Sequence, residues 1–404
     1  MPDTQATMKR LLRGTLLRLT SPRLITAGLK PGTSTDTPVR RIVVVRPDHL
    51  GDLLFATPAL AQIRVAFPDA HITGLVGPWG KAMWEGNPDL DTLQVVRFPG
   101  ITANSGGGIL GPYRLLRATA RRLAAEKYDM GIVLRFDYWW GAALLAAAGV
   151  PTRWGYNTAG VETWLTNSTP YSPGKHEVEQ NLALVDAVLA GEKVKPTRPI
   201  HTQVNRSKGI PQMRPPKGSE PTTGLLVEWL TADRRVVIHP GTAAANKLWT
   251  IEGWAEVASR LLADGWAVAL TGAPNERILA EAIEQAIRKK SDNTNGCLVN
   301  AAGQTANLQQ LVWILARATV VLGVDSGPLH IADALGRPSL HLYGPSDETI
   351  WGPWGNPHMH RAFRAPNTHS TMQLDVGSPE LEGGPEMRAI TPDMVMAEVR
   401  ALVR

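Results

Sequence analysis

The feature that most restricts this chain is an alternation that occurs twice. From Arg41 the order is RIVVV (41–45), ALAQIRVAF (59–67), HITGLVG (71–77), a short helix near Lys81, LQVVRF (93–98), YRLLRATARRLAAEK (113–127), DMGIVLR (129–135) and WWGAALLAAAG (139–149). From Arg235 it resumes as RVVIHPG (235–241), IEGWAEVASRLLADG (251–265), WAVALTG (266–272), NERILAEAIEQAIRKK (275–290), CLVNAAG (297–303), NLQQLVWILARA (307–318), TVVLGVD (319–325), GPLHIADALG (327–336) and SLHLYGP (339–345). Short apolar strands separated by helices of ten or more residues imply a mostly parallel sheet covered on both faces. The expectation is an α/β fold built as two halves in tandem. Between them, NRSKGIPQMRPPKGSEPTTG (205–224) is too rich in Pro, Gly, Ser and Lys to build a core and reads as a linker or insertion.

Ligands of open α/β sheets sit beyond the carboxyl ends of the strands. The expected site is therefore a cleft between the halves, lined by residues that follow strands. In the second half these are HPGTAAANKLW, TGAPNE, AAGQT, VDSGPLH and YGPSD. A helix N-terminus offers free N–H groups and a partial positive charge to phosphate. Asp325-Ser326-Gly327, opening a helix, has this form, and so does Gly241-Thr242. Lys247 adds a mobile full charge, and Glu276 an acid able to accept bonds from ribose hydroxyls. Each has a plainer reading: Asp325 as a helix cap, His330 as a core histidine, Lys247 as a surface lysine. In the first half, VRPDHLGDLLFATPAL (45–60) sets Asp48 and Asp52 after a buried strand, either to cap a helix or to do chemistry.

Other classes lack their signatures. There is no phosphate-binding G-x-x-x-x-G-K-[ST], no G-x-G-x-x-G after a first strand, no H-E-x-x-H or Cys/His cluster for a metal and no G-x-S-x-G elbow. A single cysteine, Cys297, excludes an internal disulfide. A formal net charge of +6 favours anionic partners without choosing among them. Nucleic acid is not expected, because the basic residues show no clustered aromatic platform. No run of 18 apolar residues suggests a membrane span. MKRLLRGTLLRL (8–19) reads as a basic amphipathic helix able to lie on an anionic membrane, or as a solvated basic extension.

Taken together, HPGTAAANKLWTIEGWAEVASRLLADGWAVALTGAPNE, VDSGPLHIADALGRPSLHLYGPSD and RIVVVRPDHLGDLLFATPAL resemble glycosyltransferase family 9, the lipopolysaccharide heptosyltransferases and their relatives. The resemblance runs from about Arg41 to Gly355. It implies a GT-B architecture of two Rossmann-like domains with a central cleft: an acceptor domain over 41–204 and a nucleotide-sugar domain over 225–365. A basic extension (1–40) and a tail ending in a helix (366–404) flank them. It further implies inverting, metal-independent transfer of a sugar, such as heptose from ADP-heptose, to a lipid-linked or glycan acceptor. The place of action would be the cytoplasmic face of the inner membrane, with the nucleotide sugar as substrate and no cofactor. By motif, Asp52 aligns with the catalytic base, Thr242 and Lys247 with diphosphate contacts and Glu276 with a ribose contact. Asp325, Ser326, Gly327 and His330 align with the donor-binding D-S-G-P-x-H. Asp48, His49 and Gly51 are candidates on the acceptor side. The family's heptosyltransferases often carry serines where Pro47, Asp48 and His49 stand, and a basic residue where Leu248 stands.

A base must take the acceptor hydroxyl's proton, and an ordinary aspartate with a pKa of about 3.9 would be ionised for that task at neutral pH. Two other classes fit the same pattern: a GT-B epimerase, betrayed by turnover without an acceptor, and a non-catalytic sugar-nucleotide binder, betrayed by tight binding without turnover.

Overall fold

The computed structural model describes residues 38–101, 110–194, 213, 218, 220–221, 224–290, 296–376, 381 and 383–403. The basic stretch 8–19 and most of 205–224 lie outside the described residues. The chain forms two compact units, Met1–Gln203 and Val204–Arg404.

The first unit carries a six-stranded parallel sheet of β1 (Arg41–Val45), β2 (His71–Val76), β3 (Thr92–Val95), β4 (Met130–Val133), β5 (Thr152–Tyr156) and β6 (Asn167–Thr169), in the order β3-β2-β1-β4-β5-β6. The second carries β7 (Arg235–His239), β8 (Ala267–Leu270), β9 (Leu298–Asn300), β10 (Val320–Val324), β11 (Ser339–Tyr343) and β12 (His360–Arg364), in the order β12-β11-β10-β7-β8-β9. Counted from its own first strand, each sheet has the doubly wound order 3-2-1-4-5-6. The expected α/β class and pair of Rossmann-like units are both present.

The central strands are apolar because both faces are covered: Ile42–Val45 and Val320–Val324 are buried throughout. The expected strands and helices occur, most with trimmed ends. Several elements escaped the pattern. Leu50–Phe55 is a helix of its own (α1), separated by Ala56 from Thr57–Ala66 (α2). Strands β5, β6 and β12 and the helix Glu177–Gly191 (α3) were not anticipated. Two of those strands, β6 (NST) and β12 (HRAFR), lie at sheet edges, where a polar sequence loses nothing. The C-terminal helix Pro392–Leu402 buries Val395, Met396, Val399 and Leu402 in the same core as Trp249 and Trp254. No helix among the described residues is long and apolar enough to cross a membrane.

Candidate functional site

In a sheet of this order the chain winds outward both ways from the first strand. The connections therefore part beyond the carboxyl ends of strands one and four, leaving a crevice there. Both units place their chemistry at that switch point.

In the first unit the point lies between β1 and β4. Arg46 and Asp48 follow β1, and Arg135 follows β4. Arg46 is buried and reaches in three directions. Its Nε forms an ion pair with Asp48 Oδ2 at 2.5 Å, its Nη2 donates to Glu177 Oε2 at 3.0 Å, and its Nη1 donates to Leu134 O and Asn181 Oδ1. Glu177 and Asn181 come from α3, so the helix missing from the sequence reading supplies half of this cage. The other oxygen of Asp48 accepts from Arg135 Nη1, and Arg135 Nε donates to Asp137 Oδ1 at 2.6 Å.

Asp52 stands in the first turn of α1, 3.8 Å from Arg46 Nη2. Two guanidinium groups here face four carboxyl groups, those of Asp48, Asp52, Asp137 and Glu177. Burial, then repulsion from Asp48, push the Asp52 carboxyl up to about 7, and the distant Arg46 does not offset them. This corrects the expectation of an ordinary, fully ionised aspartate. It also argues against a cap, since the N-cap position belongs to His49, whose side chain does not cap. His49 is exposed, while Gly51 is buried and helical. The backbone therefore turns before Gly51, between β1 and α1. Asp48 O accepts from Trp79 Nε1 at 2.8 Å, fixing the loop.

In the second unit the point lies between β7 and β10. Thr242 follows β7, and its Oγ1 donates to the Asp325 carbonyl after β10 at 3.2 Å. Lys247 Nζ is 2.7 Å from Asp325 Oδ2. Burial opposes charge on Asp325, but Lys247 and His330 outweigh it and hold the carboxyl well below the usual range. Asp325 is not the helix cap. That position is Ser326, before the helix Gly327–Ala334 (α4). The Ser326 Oγ neither caps nor finds another partner among the described residues, although it is buried. Glu276 Oε2 accepts from Ala273 N–H at 2.6 Å and lies 3.7 Å from His239 Nε2. A Cβ at Gly241 would come within 2.3 Å of the Glu276 carboxyl carbon, so a side chain there would push the Glu276 head group aside.

His330 is no ordinary core histidine. Its Nε2 is 3.6 Å from Asp325 Oδ1 and its Nδ1 is 3.6 Å from Asp333 Oδ2. Burial lowers its basicity, but the two carboxylates prevail and raise it to about 9. Asp333 also meets His341 Nε2 at 3.0 Å and His360 Nδ1 at 3.2 Å. No spacing in the sequence announces this group, because its members come from a helix and two strands; one atom each from His330, Asp333 and His341 lie within 4.8 Å of one another.

The structure thus groups Asp48 and Asp52 in one unit and Thr242, Lys247, Asp325 and His330 in the other, with Ser326 and Gly327 opening α4. Arg46, Arg135 and Glu177 were missed. The rule that chemistry follows strands would have found the first two. Glu177 sits at the head of an unrecognised helix.

The sequence profile of glycosyltransferase family 9 (heptosyltransferase) matches residues 116–376. Lipopolysaccharide heptosyltransferase 3 of Escherichia coli K12 is 26% identical over 314 residues, covering 75% of this chain and 82% of that protein. The solved ADP-heptose lipopolysaccharide heptosyltransferase II of E. coli superposes with a TM-score of 0.67 at 22% identity, covering 90% of this chain and 98% of that one. An E. coli heptosyltransferase solved with ADP gives a TM-score of 0.63 at 20% identity, over 89% and 99%.

Proposed function

The chain belongs to glycosyltransferase family 9, and from that premise we propose that it moves a heptose from ADP-heptose to a hydroxyl of a lipopolysaccharide-core or other glycan acceptor, with inversion. The relatives' names support the sugar and the acceptor class, and the relative solved with ADP supports the nucleotide. The observation that carries the mechanism is Asp52, an acid beside a switch point whose surroundings hold its pKa near 7.

In a single displacement the acceptor oxygen attacks the anomeric carbon as the bond to the diphosphate oxygen breaks. The acceptor proton passes to Asp52, and ADP leaves with the bonding pair. A base titrating near the working pH combines availability with driving force. Departure needs positive groups already in place. Lys247, turning from Asp325, Thr242, Ser326 Oγ and the amides opening α4 fill that role, so no metal is needed at the reacting atoms. Glu276 is the ribose contact. His330, charged between two carboxylates, stands behind Asp325 and backs the donor site. Asp48, His49 and Gly51 stand on the acceptor side. The enzyme would work at the cytoplasmic face of the inner membrane, where the basic stretch 8–19 can meet anionic lipid.

The test is calorimetry of the full chain against ADP-, UDP- and GDP-sugars, followed by transfer from ADP-heptose and assignment of the product anomer. The expected result is a clear ADP preference and an inverted linkage. A preference for UDP or GDP, or retention, would overturn the reading.

A further inference from the structure

The proposed displacement gives no task to Arg46, although this buried guanidinium is the cation that Asp52 meets at 3.8 Å. We propose that Glu177 is a positioning residue for that displacement: it competes with Asp52 for Arg46 Nη2 and keeps the guanidinium out of direct contact with the base. This rests on the reading of Asp52 as the base.

One nitrogen is shared between the two acids. Arg46 Nη2 donates to Glu177 Oε2 at 3.0 Å and stands 3.8 Å from Asp52 Oδ1. The nearer contact is a charge-assisted hydrogen bond; the farther one is too long for any. The rest of the guanidinium is held as well. Its Nη1 donates to Leu134 O at 2.7 Å and to Asn181 Oδ1 at 3.0 Å, and its Nε pairs with Asp48 Oδ2. These contacts fix the plane of the fork, and Glu177 takes the nitrogen that faces Asp52.

The carboxylate of Glu177 is not what holds α3 in place. That helix buries Val178, Leu184, Val185 and Val188. Asn181 Nδ2 also donates to the carbonyl of Phe55, the last residue of α1, at 3.3 Å. A buried ion pair adds little stability, because desolvation cancels much of the attraction. A glutamine at 177 could still accept from Arg46. What the carboxylate adds is a negative charge near Asp52 and a rival for its cation.

The charges around Asp52 agree with this placement. Burial opposes charge on Arg46, but Asp48, Glu177 and Asp52 keep it charged. Burial and Asp48 raise the Asp52 carboxyl, Arg46 lowers it, Glu177 raises it and Arg135 lowers it. Direct contact with a guanidinium would bring a carboxyl down by about 1–3 units and leave a weak base. Tyr171 also feels Asp52, but burial, then Glu177, push its phenol up to about 12, so it is neutral. On the helices beside α1, Arg64 pairs with Asp91 and Lys81 with Glu85.

The experiment is a carboxyl-carbon NMR titration of the full chain, with the Asp52 resonance identified by its loss in Asp52→Asn. Wild type is compared with Glu177→Gln, Glu177→Asp and Glu179→Gln, the last removing a charge from the same first turn of α3. In Glu177→Gln the Asp52 midpoint should fall by about one unit or more, because the repulsion is gone and Nη2 turns to Asp52. Glu177→Asp keeps the charge but shortens its reach, and should lower the midpoint by less. Glu179→Gln should leave it in place. The pH at which kcat/KM reaches half its plateau should move with the midpoint. A folded Glu177→Gln whose Asp52 midpoint stays within a few tenths of a unit of wild type would overturn the proposal, and Glu177 would then only anchor α3. If the glutamine variant does not fold, an unmoved midpoint in Glu177→Asp has the same force. An equal fall in Glu179→Gln would also overturn it. The titration needs no turnover. A midpoint that moves in a chain unable to transfer sugar would defeat the transferase reading and leave the placement of Arg46 standing.

Discussion

The two units share one strand order and set an aspartate beside the same point in it, but the two aspartates are tuned in opposite directions. Asp52 is pushed up to about 7, whereas Asp325 is held well below the usual carboxylate range. Burial raises both, so the difference in direction lies in the charges around each. Lys247 sits 2.7 Å from Asp325, while Arg46 stands 3.8 Å from Asp52 and spends its short contact, 2.5 Å, on Asp48. Asp48 thus acts twice: it repels the Asp52 charge and occupies the cation that could have neutralised it. The fold provides a place for chemistry, and the partners decide whether the acid there holds a proton or an ammonium group.

The change that should break the comparison most severely is Asp52→Asn. It should cut transfer by about 10²–10⁴-fold while leaving donor affinity unchanged in calorimetry; turnover within tenfold of wild type would remove Asp52 from its role. Lys247→Ala strikes the other unit. On the order of 10²-fold should be lost in kcat/KM for the donor, and steady-state kinetics showing no change would assign Lys247 to Asp325 alone.

A smaller effect sharpens the contrast. Asp48→Asn removes the repulsion and frees Arg46, so the pH at which kcat/KM reaches half its plateau should fall by about one unit or more. A pH–rate profile that stays in place would contradict the account given of Asp48. The smallest effect concerns stability. Asp52 binds its proton more tightly when folded, so that stabilisation is full below the ordinary carboxylate value of 3.8 and is lost as pH rises through about 7. Replacing the acid by a neutral amide should therefore raise the thermal midpoint more at pH 8 than at pH 4. Equal shifts at both pH values would argue against a raised pKa.

Much of this was legible in the chain, for physical reasons. A strand buried on both faces must be apolar along its length, so Ile42–Val45 and Val320–Val324 declare themselves, and the residues after them follow as candidates. Edge strands face no such demand, which hid Asn167–Thr169 and His360–Arg364. The helix Glu177–Gly191 was missed with them, and Glu177 and Asn181 with it. Residues that meet only through folding left no spacing to read: Asp48 with Arg135, or Asp333 with His341 and His360. A pKa is further out of reach. Asp52 is one letter in the sequence, and its elevation depends on where Arg46 points.

The most direct test of the central claim is the titration of Asp52 itself, followed by carboxyl-carbon NMR in protein labelled at aspartate. The account predicts one resonance with a midpoint near pH 7, absent from Asp52→Asn. A spectrum in which the resonance lost in that variant titrates below about pH 5, in the ordinary carboxylate range, would contradict it.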